Sequence, residues 1–210
     1  MRITHFGHAC LLVQTGSARL LIDPGTFSTG FESATELTAV LVTHQHYDHL
    51  DVERLPALLD ANPGAELITD EASAAQLADA GLTARAVTPG ESLDLAGTQV
   101  DVVGGRHAVI HPDIPVIPNV GYLVDGALLH PGDSFHVPDV PVDILALPTG
   151  APWLKASEAV DYLRAVAPRL AVPIHEAVLS RPEMMYGLFT NLSPDRTDVQ
   201  VLTPGVESTL

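Results

Sequence analysis

The sequence predicts an α/β fold within a single domain of 210 residues. Two continuous apolar runs, Ala39–Val42 and Leu170–Ile174, are typical of strands that are buried on both faces. The segments 51–61 and 71–80 instead carry apolar residues at helical spacing. Hydrophobic residues make up 46% of the chain, which is enough for one substantial core. We therefore expect strands and helices that share one core.

The elements are predicted in two halves, 1–95 and 96–210. Strands are expected in the first half near 2–6, 9–14, 18–22, 39–43, 66–69 and 84–87, with helices near 51–61 and 71–80. Strands are expected in the second half near 98–104, 120–124, 127–130, 142–147, 170–174 and 198–203, with a helix near 156–166. Asp70 is the predicted N-cap of the second helix, and Gly81 follows its end. Ser157 is an alternative cap for the third helix.

The two halves contain a similar turn near their ends. Thr88-Pro89-Gly90 lies in the first half, and Thr203-Pro204-Gly205 lies in the second. Two such turns indicate a pseudo-twofold arrangement, although Thr-Pro-Gly is also a common turn sequence. The proline-rich segment 112–118 is predicted to be an extended loop next to the functional site rather than a linker.

Charge and composition exclude several classes of partner. The net charge of −16 disfavours nucleic acid, because phosphate binding needs clustered lysines and arginines. No apolar run approaches the roughly 20 residues of a membrane span, and the N-terminal residues do not resemble a secretory signal. The only cysteine, Cys10, cannot form an internal disulfide and is expected to be buried. A cytoplasmic location and a small-molecule substrate fit these features, and a homo-oligomer is compatible with them.

The segment Thr43–His49 carries the pattern H-x-H-x-D-H directly after a predicted buried strand. Its three imidazoles and one carboxylate are ligands that suit zinc, manganese or iron. His44 and His46 alternate by two, so both can point to one side of an extended segment. Asp48 and His49 follow after the chain turns, so they can face a second point. One loop can therefore bind two adjacent metal ions. The alternative is a solvated polar loop, but it does not explain four potential ligands at this spacing after an apolar strand.

Three later segments offer further ligands after predicted strands. His107 follows the strand near 98–104, Asp133 follows another, and His175 ends a third. Open α/β sheets place functional residues at such strand ends. His111 is a rival to His107, but His107 lies directly at the strand end and is preferred.

Together these residues resemble the motif set of the metallo-β-lactamase superfamily. Leu21-Ile22-Asp23-Pro24-Gly25 resembles the first motif of that family, and the segment 43–49 resembles the second. His107, Asp133 and His175 resemble the third, fourth and fifth motifs, in the same order as in the family.

The resemblance implies a fold and, more narrowly, a branch. The implied fold is a four-layer αβ/βα sandwich, the metallo-β-lactamase fold, with metal ions at one edge between the two sheets. The opening segment Phe6–Leu12 resembles the branch that includes ascorbate-6-phosphate lactonase-like proteins. The chain departs from the antibiotic-hydrolysing branch, which places a cysteine in the second metal site, because Cys10 lies outside the motifs.

The resemblance also assigns roles to individual residues. It implies that the first metal is held by His44, His46 and His107, the second by Asp48, His49 and His175, and that Asp133 bridges the two. Asp23 resembles the residue that orients the ligand loop, a role that metal sites regularly need. His8 is expected close behind the ligands or in the pocket. The implied cofactors are two divalent ions, with zinc favoured and manganese or iron as alternatives.

Contacts to substrate are predicted less directly. The candidate residues are His111, Asn119, Tyr122, His136 and Trp153. Core packing is the alternative for Tyr122 and Trp153, because aromatic side chains dominate cores. His130 and His136 flank the Asp133 turn, where either could protonate a leaving group or have a structural role.

The function implied by the resemblance is a dinuclear metal-dependent hydrolase of a small molecule. Two ions ~3.5–4 Å apart can share one water and lower its pKa, so that hydroxide forms near neutral pH. This hydroxide would attack the carbonyl of an ester or lactone, or a phosphodiester, with Asp48 or Asp133 orienting it. The alternatives are an iron-dependent redox enzyme on the same fold and a metal-binding protein without hydrolytic activity.

Overall fold

Two seven-stranded sheets form the centre of the structure, a computed structural model that describes all 210 residues. The first six strands are β1 (Arg2–His5), β2 (Leu11–Thr15), β3 (Ala18–Ile22), β4 (Ala39–Val42), β5 (Glu66–Thr69) and β6 (Arg85–Ala86). The next eight are β7 (Ser92–Leu95), β8 (Thr98–Gly104), β9 (Val120–Val124), β10 (Leu128–His130), β11 (Ile144–Pro148), β12 (Leu170–Ile174), β13 (Asp198–Val199) and β14 (Glu207–Thr209). The four helices are α1 (Leu55–Ala61), α2 (Glu71–Asp79), α3 (Ala156–Val166) and α4 (Glu183–Leu192).

The apolar run in β4 shows why the sheets are buried on both faces. Ala39 and Leu41 point into the cluster between the two sheets. Val40 and Val42 point the other way, into the cluster beneath α1 and α2. Because side chains alternate along a strand, a strand without polar residues needs apolar partners on both sides. A second sheet on one face and helices on the other supply those partners.

Three apolar clusters define four layers. The largest lies between the sheets. The second packs Leu58 of α1 and Leu77 of α2 against the first sheet, and the third packs Leu163 of α3 and Phe189 of α4 against the second sheet. The order of layers is helices, sheet, sheet, helices. The predicted αβ/βα sandwich is therefore confirmed.

The two sheets have the same internal order. The first runs β14-β1-β2-β3-β4-β5-β6, and the second runs β7-β8-β9-β10-β11-β12-β13. In each sheet the first three neighbouring pairs are antiparallel and the last three are parallel. Each half of the chain thus places six strands in one sheet and its seventh strand in the other. The two Thr-Pro-Gly turns occupy equivalent places, since one leads into β7 and the other into β14.

Four elements were not predicted, namely β7, α4, β14 and a short 3-10 helix at Phe31–Ser33. The two strands are short edge strands next to the Thr-Pro-Gly turns, and pairing with β8 and β1 holds them in place. Helix α4 contains Gly187, which weakens its intrinsic helix propensity. Burial of Phe189 against the second sheet stabilises this helix, a tertiary effect that a local pattern does not show.

The structure also corrects several predicted boundaries. Helix α1 begins at Leu55 rather than at residue 51, because the side chain of Asp51 accepts hydrogen bonds from the amides of Glu53 and Arg54 in a preceding turn. Asp70 caps α2 as predicted, accepting from the amides of residues 72 and 73. Ser157 lies inside α3, whose N-cap is Lys155. The final predicted strand, 198–203, is limited to β13.

No helix has both the length and the apolar character needed to cross a bilayer.

Candidate metal centre

The predicted ligands meet at one edge of the sandwich. The parallel strands β3, β4, β10 and β12 all end at this edge. Asp23 directly follows β3, and the ligand loop 43–49 follows β4. Asp133 lies three residues after β10, and His175 directly follows β12. The chain therefore brings residues that are more than 150 positions apart in the sequence to one site.

A tight turn shapes the ligand loop. The amides of His49 and Leu50 both donate to the carbonyl of His46, which reverses the chain between the first two histidines and the Asp48–His49 pair. Gly25 packs directly against this turn. A Cβ atom added at Gly25 would lie 1.8 Å from the carbonyl oxygen of Asp48, so only glycine fits there.

The first cluster contains His44, His46, His107 and Asp133, whose potential ligand atoms all lie within 4.8 Å of one another. His44 Nε2 lies 3.1 Å from His46 Nδ1. His107 Nε2 lies 3.4 Å from Asp133 Oδ2, and it is buried without a hydrogen-bond partner.

The second cluster contains His8, Asp48, His49 and His175, again within 4.8 Å of one another. His49 Nε2 lies 3.1 Å from His175 Nε2. Asp48 Oδ2 lies 3.5 Å from His175 Nε2 and 3.0 Å from His8 Nε2.

Asp133 lies between the two clusters. Its Oδ1 atom is 3.1 Å from both His49 Nε2 and His175 Nε2, but no hydrogen bond to either is aligned. Its Oδ2 atom faces His107 of the first cluster. This is the position that a bridging carboxylate requires.

In three histidines, the Nδ1 atom points away from the clusters, and its hydrogen bond fixes the orientation of the ring. His175 Nδ1 donates to the carbonyl of Gly150 at 2.6 Å, and His107 Nδ1 donates to the carbonyl of Ala108 at 2.6 Å. His49 Nδ1 donates to Asp23 Oδ2 at 2.7 Å. A neutral imidazole with a proton on Nδ1 presents a lone pair on Nε2. In this neutral form the Nε2 lone pairs of His49 and His175 would face each other at 3.1 Å and repel, so the pair needs a cation, either a proton or a metal ion. The donor set fits a metal ion on each side of Asp133.

The electrostatics of the site favour positive charge. Burial alone would raise the pKa of Asp133, but the adjacent His49 and His175 hold it well below its usual range. Burial would likewise raise the pKa of Asp48, which hydrogen bonds from His175 and His8 lower. Both carboxylates are thus ionised at neutral pH.

The pKa values of the histidines at the site shift in opposite directions. Burial would lower the pKa of His175, but Asp133 and Asp48 outweigh it and raise the pKa to about 9. His49, between Asp133 and Asp23, also has a pKa well above its ordinary value, although burial opposes it. Burial and the positive charge at His49 hold the pKa of His44 well below normal, so that ring is a neutral ligand at neutral pH. Protons on His49 and His175 thus offset the carboxylate charge at the second cluster when no metal is bound, and a metal ion would displace them.

Asp23 organises the ligand loop from behind. Its Oδ1 accepts from the amide of Thr43 at 2.7 Å, and its Oδ2 accepts from the Thr43 hydroxyl at 2.8 Å and from His49 Nδ1. The side chain is fully buried. Its φ of 52° lies in the left-handed region, which is rare for residues other than glycine. Asp23 thereby fixes both the start of the loop and the ring of His49.

We expect Asp23→Asn to weaken metal affinity by roughly 10–100-fold, the usual effect of losing such a supporting contact. The amide keeps the size of the side chain but offers one acceptor oxygen instead of two. Competition titration against a chromogenic chelator measures the affinity. Asp60→Asn, on the exposed face of α1, is the matched control and should leave the affinity unchanged. Equal affinities for both variants would remove Asp23 from this role.

His8 supports Asp48 and stands close enough to be a ligand itself. Its Nε2 is within hydrogen-bond distance of Asp48 Oδ2, and its carbonyl accepts from the amide of His175 at 2.8 Å. Glu176, whose Oε1 accepts from the His8 amide at 3.0 Å, holds the same turn. Both His8 and His175 have a positive φ, 52° and 63°. The chain thus accepts a strained backbone at two residues of the second cluster.

Two of the predicted substrate contacts, Asn119 and Trp153, form hydrogen bonds that support Asp133. Asn119 is fully buried, accepts from the amide of Asp133 at 2.9 Å, and donates to the carbonyl of Pro131 at 2.9 Å. The prediction that Asn119 contacts substrate is therefore wrong. Trp153 Nε1 donates to Asp133 Oδ2 at 2.7 Å while its ring lines the cavity in front of the site. This hydrogen bond could not be predicted from local sequence, because it joins residues 20 positions apart.

We expect Trp153→Phe to weaken metal affinity by about 10-fold, at the lower end of the range for supporting contacts. Phenylalanine keeps an aromatic wall but cannot donate to Asp133. Metal affinity from the same chelator titration is the measurement. Tyr186→Phe on α4, which also removes a polar group from an aromatic ring, should not change it. An unchanged affinity in Trp153→Phe would limit this residue to the cavity wall.

Other predicted contacts lie away from the site. Tyr122 is fully buried in β9, and its hydroxyl donates to the carbonyl of Val42 at 2.8 Å, so its core alternative is correct. His111 is exposed and does not line the cavity at the metal centre. His136 lines a neighbouring cavity with Arg106 and Phe135. His130 is fully buried and is bonded to the carbonyl of Ala9, which is a structural role.

The structure separates His107 from its rival His111. We expect His107→Ala to lower the metal content of the purified protein, because its Nε2 points into the first cluster. His111→Ala should have no effect, since 61% of that side chain is exposed. Elemental analysis of both dialysed variants checks this pair. A greater loss of metal in His111→Ala would reverse the assignment.

A cavity of about 230 Å³ opens in front of the two clusters. Its floor contains His46, Asp48, His107, Asp133 and His175. Its walls are formed by Phe27, Tyr47, Ile110, Pro152, Trp153 and Val178. A small molecule can therefore reach the candidate metal ligands from solvent.

Comparisons with known proteins agree with the fold and identify a family. Residues 2–175 match the family described as "Beta-lactamase superfamily domain". Protein Rv0786c of Mycobacterium tuberculosis is 56% identical over 209 residues, which cover 96% of both chains. Two archaeal relatives are more distant. UPF0173 protein PYRAB01190 of Pyrococcus abyssi is 30% identical over 83% of each chain. The UPF0173 metal-dependent hydrolase of Pyrobaculum arsenaticum is 27% identical over 83% of this chain and 84% of its own.

A solved structure shows the same fold at low identity. Igni18, a metallo hydrolase from Ignicoccus hospitalis, superposes with a TM-score of 0.77 at 20% identity, covering 100% of this chain and 98% of its own. At this identity the likeness concerns the fold alone. The narrower resemblance to ascorbate-6-phosphate lactonase-like proteins stays a prediction.

Proposed function

The chain belongs to the metallo-β-lactamase superfamily and to its UPF0173 metal-dependent hydrolases, and from this premise we propose that it hydrolyses a small molecule with two divalent metal ions. The bond to be cleaved is an ester, a lactone or a phosphodiester. A small-molecule substrate and a cytoplasmic location, with no nucleic-acid or membrane partner, belong to the same proposal, and a homo-oligomer is compatible with it.

The observation that carries the proposal is the pair of donor clusters on either side of Asp133. Each cluster contains four potential ligands within 4.8 Å of one another. Buried nitrogen and oxygen atoms without partners, His107 Nε2 and Asp133 Oδ1, point into this space. Buried polar groups are normally satisfied, so unpartnered ones at a donor cluster indicate a site for a cation. His44, His46 and His107 would hold one ion, and Asp48, His49 and His175 would hold the other.

The chemistry divides between the ions and the protein. When bound, two divalent ions lower the pKa of a water and polarise the oxygen of the bond under attack. The protein contributes two carboxylates that stay ionised, Asp48 and Asp133. Either can orient a nucleophilic water through one oxygen, while His8 and Trp153 hold the carboxylates in place. The cavity walls place apolar side chains beside the bond to be cleaved.

The donor set does not choose the metal. Imidazole and carboxylate ligands suit zinc, manganese and iron, and availability often decides among them. Iron in the same clusters would support redox chemistry, which is the second candidate function. A protein that binds metal without catalysis is the third.

The deciding experiment is elemental analysis of protein purified without added metal, followed by assays with ester, lactone and phosphodiester substrates. About two zinc or manganese ions per chain, with turnover that a chelator removes and added metal restores, would support the proposed hydrolase. Iron without hydrolysis would favour the redox enzyme. Metal at full stoichiometry without turnover of any substrate would favour the binding protein.

A further inference from the structure

A second, smaller cavity lies beside the metal centre. We call it the isoleucine pocket. It measures about 70 Å³, and its walls include Ile110, Ile114, Val116 and Ile117, together with His46 and His107. The residues His46, His107 and Ile110 also line the larger cavity. The isoleucine pocket therefore adjoins the point where a reacting bond would lie.

The backbone holds these apolar residues against the site. The amide of His107 donates to the carbonyl of Ile117 at 3.1 Å, and the amide of Gly105 donates to the carbonyl of Asn119 at 2.8 Å. The loop between β8 and β9 thus closes at its base and folds back over the first cluster. Ile114 lies near its tip, where its amide donates to the carbonyl of His111. This is the proline-rich segment that the sequence predicted to lie next to the site.

The charges around the site disfavour an anionic substrate. No lysine or arginine lines either cavity. The floor carries the carboxyl groups of Asp48 and Asp133, and the whole chain has a net charge of −16. The metal ions could balance a charge that develops at the reacting bond, but an additional anionic group on the substrate would find no partner. The walls instead offer apolar surface on both sides of the ligands.

From these features we infer that the substrate is an uncharged carboxylic ester or lactone whose short aliphatic acyl chain binds in the isoleucine pocket. This rests on the proposed hydrolase and narrows it by excluding phosphodiesters and phosphorylated lactones. The volume sets the chain length, because a cavity of ~150 Å³ holds a benzene molecule. A pocket of half that size holds an acyl chain of about three or four carbons.

The test uses the metal-loaded protein and p-nitrophenyl esters of acetate, butyrate, hexanoate and decanoate, with bis-p-nitrophenyl phosphate as the anionic alternative. Each methylene buried in the pocket should raise kcat/KM roughly 4-fold, so butyrate should exceed acetate by about 15-fold. Hexanoate and decanoate should fall below butyrate because they exceed the pocket. Equal kcat/KM values across the series, or faster hydrolysis of the phosphodiester, would overturn the inference.

Three variants test whether the isoleucine pocket causes the preference for butyrate. Ile114→Ala enlarges the pocket and should move the optimum to longer chains. It is a mild change, because 47% of Ile114 is exposed. Ile117→Phe fills the pocket and should abolish the preference for butyrate over acetate. Val109→Ala is the matched control in the same loop, since Val109 is 57% exposed and lines neither cavity. A shift in Val109→Ala equal to that in Ile114→Ala would overturn the assignment.

A binding measurement tests the isoleucine pocket independently of the proposed hydrolase activity. Trp153 is the only tryptophan and lines the main cavity, so its fluorescence should report binding of uncharged N-methyl amides of acetic, butyric and hexanoic acid. Tightest binding of the butyramide without hydrolysis of any ester would support the pocket and contradict the hydrolase. Hydrolysis without any order of chain length in either assay would support the hydrolase and overturn the pocket.

Discussion

Replacing His175 by alanine is expected to reduce the metal content of the protein and to abolish hydrolysis. Its Nε2 atom lies 3.1 Å from both His49 Nε2 and Asp133 Oδ1, so it contributes to the second cluster and faces the carboxylate shared by both. Its Nδ1 donates to a backbone carbonyl, which leaves Nε2 as the only ring nitrogen that can bind a metal ion. His46→Ala should have the same consequence in the first cluster, because His46 Nδ1 faces His44 Nε2.

Elemental analysis of dialysed protein measures the stoichiometry, and an assay with added metal measures the remaining activity. We expect fewer than two ions per chain in each variant and no recovery of full turnover at saturating metal. His111→Ala is the control, since this exposed histidine lies four residues after a ligand candidate but outside both clusters. Unchanged metal content in both His46→Ala and His175→Ala would refute the proposed ligand set.

Replacing Gly25 by alanine is expected to destabilise the fold and the metal centre together. An added Cβ would lie 1.8 Å from the carbonyl oxygen of Asp48, 2.0 Å from its carbonyl carbon and 2.5 Å from the amide nitrogen of His49. These are backbone atoms, so the clash cannot be relieved by rotating a side chain. The ligand loop must move, which would separate Asp48 and His49 from His175. Such overpacking typically lowers the free energy of unfolding by about 1–3 kcal/mol, and occasionally by more.

Gly64→Ala is a matched control for this substitution. Gly64 has nothing within 4 Å of the added Cβ, and neither glycine has a positive φ, so the two variants differ in space rather than in conformation. Denaturant unfolding of metal-free protein gives the change in stability, and chelator titration gives the change in metal affinity. If Gly25→Ala matched Gly64→Ala in both measurements, the close packing of Gly25 against the ligand loop would have no energetic role.

The sequence predicted the parts of the fold that depend on local pattern. The apolar runs of β4 and β12 identified central strands because burial on both faces leaves no room for polar residues. The candidate ligands could be found because each follows a predicted strand, although β8, which precedes His107, is polar on one face. The edge strands β7 and β14 could not, since their neighbours rather than their composition hold them in place.

The supporting residues were harder to predict than the candidate ligands. Tyr122 and Asn119 have polar groups near the motifs, which favours a role in binding, yet both are fully buried and satisfied by carbonyls and amides from elsewhere in the chain. Trp153 reaches Asp133 only because the ends of β10 and β11 are adjacent in the second sheet. Contacts of this kind depend on the register between strands, and a single sequence does not show register.

The exchange of β7 and β14 interlocks the two halves of the chain. Neither half can complete its own sheet, because the strand that covers each antiparallel edge comes from the other half. If β14 detached, β1 would become an open edge next to apolar β2, the type of surface that pairs with other chains and aggregates. The same exchange connects the two sheets that carry the ligands, so we expect the metal centre to be as stable as the sandwich as a whole. An enzyme built in this way would retain its site until the sandwich itself opens.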